Sequence, residues 1–263
     1  AMSADADRTG DAEGAALLRW FRDGMLTQLG HVVRRRDGGQ GQPLGICRHS
    51  ARALLSAASY DRAFAWFERE GARAPLIVKS NLSSQVHRRV PLDLFLVPML
   101  EEGRLAALSV HAGVWTSAAL GATPNHVPRM RAQMAELMQR FGFDPAGHAG
   151  KSLVHALTAL PHDLLISFPD DDLCRVATAM MSLLDRPRPR LVLISAPLER
   201  HLFAFVWLPR DVLSTELRLN IRAMLEEAAE ATTLDWSLEV EGSNLAMMRF
   251  VLDIRDGEAG PAE

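Results

Sequence analysis

The chain has 263 residues, 48% hydrophobic and 23% charged, a composition that excludes disordered and fibrous classes and suffices for one or two buried cores. Its 29 basic and 32 acidic residues leave a formal charge of −3, too little positive surplus for a whole-chain polyanion binder. Cys47 and Cys174 are the only cysteines, which excludes a disulfide framework and fits a reducing, cytoplasmic compartment; no apolar run approaches the roughly 20 residues of a membrane span.

Read from the start, residues 1–13 are polar and acidic and are expected to form a disordered or tag-derived tail. Leu17, Trp20 and Phe21 then place a helix over 13–23. A strand over 26–35 and a short one over 44–47 flank Gly38-Gly39-Gln40-Gly41, which reads as a hairpin tip. Arg34-Arg35-Arg36 reads as a solvated strand end. Helical stretches over 50–58 and 60–70 precede Gly71. Strands are expected over 76–79, 92–100 and 105–114, the last two joined at Glu101-Glu102-Gly103. Met130, Met134, Leu137, Met138 and Phe141 share one face of a helix over 126–141. Gly142 to Gly150 reads as a linker, followed by a short helix over 151–160.

The second half has the clearer periodicity. Leu164, Leu165, Ile166 and Phe168 predict a short strand stopped by Pro169, and a helix over 170–185 repeats Leu173, Val176, Ala177, Met180, Met181 and Leu184. Arg186-Pro187-Arg188-Pro189-Arg190 predicts an extended connector. Strands over 190–195 and 202–208 meet at Glu199-Arg200. Ser214 is a helix cap ahead of Leu217, Ile221, Met224, Leu225 and Ala228. Trp236, Leu238 and Val240 alternate with polar residues, Gly242-Ser243-Asn244 turns the chain, and Met248, Phe250, Leu252 and Ile254 line a last strand. The resulting order, β-α-β-β-α-β plus one strand, is ferredoxin-like. The expected fold is therefore α+β: two tandem domains, 14–143 and 144–254, with mainly antiparallel sheets and helices on one face, then a flexible tail over 255–263.

Signatures of chemistry are sparse. There is no G-x-G-x-x-G, no G-x-x-x-x-G-K-[ST], no H-E-x-x-H, no C-x-x-C and no G-x-S-x-G. Pro169-Asp170-Asp171-Asp172 could supply oxygens to a hard cation, but three acids opening a helix fit better as a cap, Asp170, and two charges complementing the positive helix end. His148 and His155 would share a helix face only if that helix began before Gly150. No catalytic residue, cofactor site or metal site is assigned to the chain.

Specific residues carry more than these patterns. Pro75 to Asn81, Val86-His87-Arg88-Arg89-Val90-Pro91-Leu92-Asp93, Val114-Trp115-Thr116-Ser117-Ala118 and Thr123-Pro124 resemble, in order, the large bacterial NAD-dependent glutamate dehydrogenases. The match continues through Gly142-Phe143-Asp144-Pro145, Gly150-Lys151-Ser152-Leu153, Leu160-Pro161-His162-Asp163-Leu164, Phe205 to Asp211 and Ser214 to Arg218, so that it covers roughly residues 14 to 254. The resemblance implies the non-catalytic N-terminal region of that enzyme, built of ACT-like modules, with NAD bound and chemistry done elsewhere in a longer parent. It also implies a homo-oligomer whose partners are the rest of the parent chain and neighbouring subunits, with neither nucleic acid nor membrane involved. Ligand-binding ACT domains usually carry a Gly-containing turn after their first strand. Here the corresponding turn is Ser167-Phe168-Pro169-Asp170-Asp171, whose carboxylates would repel an amino-acid ligand. Asn81, His87 and Arg88 are the candidate effector-binding residues, because they offer donors to a carboxylate.

Overall fold

The computed structural model describes residues 1–70, 75–86, 89–240 and 244–254. It is α+β, and the chain divides into two compact units between Gln133 and Met134. The expected tail over 255–263 and most of the expected turn at Gly242-Ser243-Asn244 lie outside the described residues.

Unit 1 is organised by a five-stranded antiparallel sheet. Its strands are β1 (Leu26–Arg35), β2 (Leu44–Gly45), β3 (Leu76–Ser83), β4 (Pro91–Glu101) and β5 (Arg104–Trp115), in the order β2-β1-β5-β4-β3. The central strands are buried without alternation, from Pro91 to Val97 and from Ala107 to Trp115. Such strands need cover on both sides, and helices supply it on both sides rather than on one. On the side that carries His111, Phe95 and Trp115 lie α1 (Met2–Arg8) and α2 (Ala12–Trp20); Phe21, which follows α2, packs on Phe95 at 4.6 Å and on Trp115 at 5.0 Å. On the opposite side lie α3 (Cys47–Leu54) and α4 (Ala57–Glu70), where Ser80 donates to the Leu54 carbonyl and the Arg34 guanidinium lies over the Tyr60 ring.

Residues 1–13 are thus structure and not a tail. Met2 and Ala6, one turn apart on α1, are buried, and Asp11 caps α2 by accepting from the Glu13 amide. Two apolar positions one turn apart, with Ala4 on the exposed side, are too few to register as a helical stripe. The Arg34-Arg35-Arg36 run is paired as well as solvated: Arg35 with Glu101, Arg36 with Glu68 and the Phe64 ring. A short helix, α5 (Ser117–Leu120), follows β5 under a Thr116 cap.

The helix α6 (Met130–Phe141) carries the division between the units. Unit 2 continues through α7 (His148–Thr158), α8 (His162–Leu165) and α9 (Asp170–Asp185), then β6 (Arg190–Ser195), β7 (His201–Pro209), α10 (Thr215–Ala228), β8 (Thr232–Val240) and β9 (Leu245–Asp253). Its four strands are all antiparallel to their neighbours, in the order β6-β7-β9-β8. The strands β7 and β8, linked by α10, run parallel with β9 between them, which is a split β-α-β unit.

One expected strand is absent: 162–165 is helical, and the central slot that it would have filled belongs to β9. A four-residue apolar run does not distinguish a buried strand from a buried helical turn; here Pro161 stands at the helix N-terminus and both leucines are fully buried. The linker reading of 142–150 also changes, because α7 begins at His148. Asp170 is the first residue of α9, with Pro169 at the cap position, so all three aspartates occupy the first turn; Asp171 pairs with Arg140 and Asp172 with Arg175.

Helices again divide between the two sides of the sheet. Leu217, Ile221 and Leu225 of α10 pack on Ala204, Val206 and Leu208 of β7 and on Met248, Phe250 and Leu252 of β9. Phe168, which leads into α9, packs on Phe203 and Phe205, the other side of β7. Ser214 caps α10 through a 3.0 Å bond from the Leu217 amide. Among the described residues no helix is long and apolar enough to cross a membrane.

Candidate functional site

Asp5, Ser109, His111 and the half-buried His31 meet on the side of the first sheet covered by α1. Cross-strand pairing puts His31 of β1 opposite His111 of β5, with ring centroids 4.7 Å apart, and Ser109 stands two residues from His111 on the same side. Asp5 reaches them from α1. Asp5 and His111 have no exposed surface, Ser109 almost none, and His31 is half-buried.

Counting donors fixes the roles. A carboxylate only accepts, so His111 Nε2 and Ser109 Oγ each donate to Asp5 Oδ2, both at 2.6 Å. The Ser109 oxygen then accepts from His31 Nε2 at 2.9 Å, and His111 Nδ1 accepts from Gln28 Nε2 at 3.0 Å. Arg8 binds the other carboxylate oxygen, Oδ1. Burial pushes the pKa of both imidazoles down to about 4, helped at His31 by the neighbouring His111, so both rings are neutral near pH 7. Asp5 Oδ2, His31 and His111 offer a carboxylate oxygen and two imidazole nitrogens within 4.8 Å of one another. Positions 5, 31 and 111 are far apart in sequence; the sheet register brings His31 and His111 together, and the packing of α1 on the sheet adds Asp5.

On the same side of the sheet, Lys79 of β3 and Asp93 of β4 form a buried ion pair at 2.7 Å, each side chain at most 6% exposed. Asn81 lies two residues further along β3 and is half-buried. His87 and Arg88, the other two candidate effector residues, lie outside the described residues.

Elsewhere, His148 and His155 both belong to α7, two turns apart on one face, since the helix starts one residue before Ala149 and includes Gly150. The Cys47 thiol is buried and its pKa is pushed up to about 11 by that burial, which makes it a packing group rather than a nucleophile.

Comparison with known proteins follows the same division of elements. Residues 190–263 match the family model described as glutamate dehydrogenase, ACT2 domain, which contains β6 to β9 with α10. Residues 127–186 match glutamate dehydrogenase, helical motif 1, which contains α6 to α9 and no strand. The chain is 32% identical to the NAD-specific glutamate dehydrogenase of Pseudomonas aeruginosa over 258 residues, covering 92% of the chain and 16% of that protein. It is 30% identical to that of Halomonas elongata, covering 66% of the chain and 11% of the relative, and 25% identical to that of Mycobacterium tuberculosis, covering 56% and 9%. The chain therefore spans less than a fifth of the length of these relatives.

Proposed function

Because the chain belongs to the NAD-specific glutamate dehydrogenase family, in its ACT-bearing N-terminal region, we propose that it is a non-catalytic regulatory and scaffolding segment of such an enzyme. On this reading the parent is cytoplasmic and homo-oligomeric, and it converts L-glutamate, NAD and water into 2-oxoglutarate, ammonia and NADH. NAD and the reacting groups reside in the remainder of the parent, and this segment holds neither.

The observation that carries the reading is the side of the second sheet under α10. The helix covers its middle, but the flanking strands keep Leu191 and Leu193 of β6 and Trp236, Leu238 and Val240 of β8 at 38–44% exposure. The register puts them on the same side of the sheet, in two strips flanking α10: Leu191 is aligned through Val206 and Met248 with Leu238, and Leu193 through Ala204 and Phe250 with Trp236. Apolar residues on both flanking strands suit contact with other protein.

The test uses the full-length enzyme with Leu191→Glu and Leu238→Glu. Both positions are surface-exposed, so the fold should survive. A smaller particle by light scattering, or altered kinetics with an unchanged far-ultraviolet spectrum, is the expected result. Unchanged particle mass together with unchanged kinetics would remove the proposal. Turnover of glutamate and NAD by the 263-residue segment alone would overturn its non-catalytic part.

A second reading, an amino-acid effector module, is favoured by one observation: Asn81 adjoins the buried Lys79–Asp93 pair along β3. Asn81, His87 and Arg88 would then hold the effector carboxylate. An amino-acid panel should raise the melting temperature for at least one member, and a flat panel at millimolar ligand rejects the reading.

A further inference from the structure

We propose that Asp5, His31 and His111 form a binding site for a divalent first-row transition ion, zinc foremost, that clamps α1 to the first sheet. The donor set is two imidazole nitrogens and one carboxylate oxygen, which suits zinc and its neighbours rather than magnesium or calcium, whose sites are built of oxygen. The three ligands come from three elements, α1, β1 and β5.

The geometry is close to what coordination needs. Donor atoms of a tetrahedral zinc site lie roughly 3.3 Å apart, given metal–ligand bonds of about 2.0–2.1 Å. Here His111 Nε2 and Asp5 Oδ2 are 2.6 Å apart, and all three ligands fall within 4.8 Å. Side-chain shifts of about an ångström would therefore admit an ion.

The surroundings match a ligand shell. Asp5 would ligate through Oδ2 while Arg8 retains Oδ1. Gln28 holds His111 Nδ1; with metal on Nε2 the imidazole proton moves to Nδ1, and a flip of the amide presents the Gln28 oxygen to it. Such outer partners orient ligand imidazoles in metal sites. Ser109 Oγ, bonded to both Asp5 and His31, sits where a fourth ligand or its water would lie. His31, half-buried beside the two fully buried ligands, is the access path. Without an ion the protons of His111 Nε2, His31 Nε2 and Ser109 Oγ hold the same donor atoms together.

The experiment titrates the 263-residue chain with cobalt(II), then displaces it with zinc(II). One equivalent of cobalt should bind and give the visible absorption of a four- or five-coordinate ion, and zinc should raise the melting temperature of unit 1. His31→Gln alters the half-buried ligand and should abolish the absorption while circular dichroism stays native. Gln28→Ala, which touches no metal, should weaken binding about 10–100-fold. If wild-type protein gives no such absorption, or if His31→Gln and His111→Gln each bind cobalt like wild type, the proposal fails. Should His111→Gln unfold, the His31→Gln and Gln28→Ala results still decide it.

Discussion

Replacing Asp5 with alanine is expected to destabilise unit 1 by about 3–4 kcal/mol, a large share of the roughly 5–15 kcal/mol that holds a domain together. The estimate comes from the bonds that the carboxylate receives. Its removal strands the Ser109 hydroxyl and the His111 Nε2–H, both at 0–1% exposure, and each buried unsatisfied donor costs about 1–3 kcal/mol. The Arg8 contribution is small, because that side chain is 46% exposed and regains water. Asp5→Asn keeps the volume and one acceptor oxygen, and should cost about half as much. Urea unfolding read by pulsed hydrogen exchange in β4 and β5 peptides reports unit 1 by itself. With a slope of about 1–3 kcal/mol per molar urea, the midpoint should fall by about 1–4 M. If Asp5→Ala unfolds within about 0.5 kcal/mol of wild type, the span of ordinary surface substitutions, α1 is not packed on the sheet and the network described above is not the one in solution.

Three further outcomes follow from the same structure. Because burial lowers the pKa of His31 and His111 from 6.5 to about 4, the unfolded chain takes up protons between those values that the folded chain does not, so stability should be flat above about pH 6.5 and decline as pH falls toward 4; unit 1 melting curves across that range check this, and an increase on acidification would contradict it. Gly45→Ala should loosen the β1–β2 pairing by at least about 1 kcal/mol, because Gly45 has φ +59° and an added Cβ would strike the Leu29 carbonyl, visible as faster amide exchange at Ile46, whose N–H binds that carbonyl. Ser214→Ala should cost about 1 kcal/mol of unit 2 stability through loss of the α10 cap, measured by the same exchange-resolved urea titration in β7 and β9 peptides.

Much of the fold was legible where one side of an element faces solvent. The alternation in β8 and the stripe on α10 follow from half-burial, and both elements stand where the pattern puts them. Legibility failed where burial is complete or the element is short. Leu164, Leu165 and Ile166 are consecutive apolar residues and all buried, so the run carries no period that would tell a strand from a helical turn. The seven residues of α1 offer only Met2 and Ala6 as apolar anchors, and their third buried position, Asp5, is an acid whose burial makes sense only beside Ser109 and His111. The polar cluster was invisible in the sequence for a related reason: a register between strands nearly eighty residues apart leaves no local spacing to read.

The place of β9 in its sheet bears on how the second unit comes into being. In chain order β6 and β7 can pair as soon as both exist, but β8 touches the sheet only through β9. Until residues 245–253 are made, β8 has no partner and one edge of β7 stays open. During synthesis β8 therefore waits beside a hairpin that α10 can already cover through β7, and the last strand completes the layer by inserting along two edges at once. Completion of this sheet accordingly depends on its final strand.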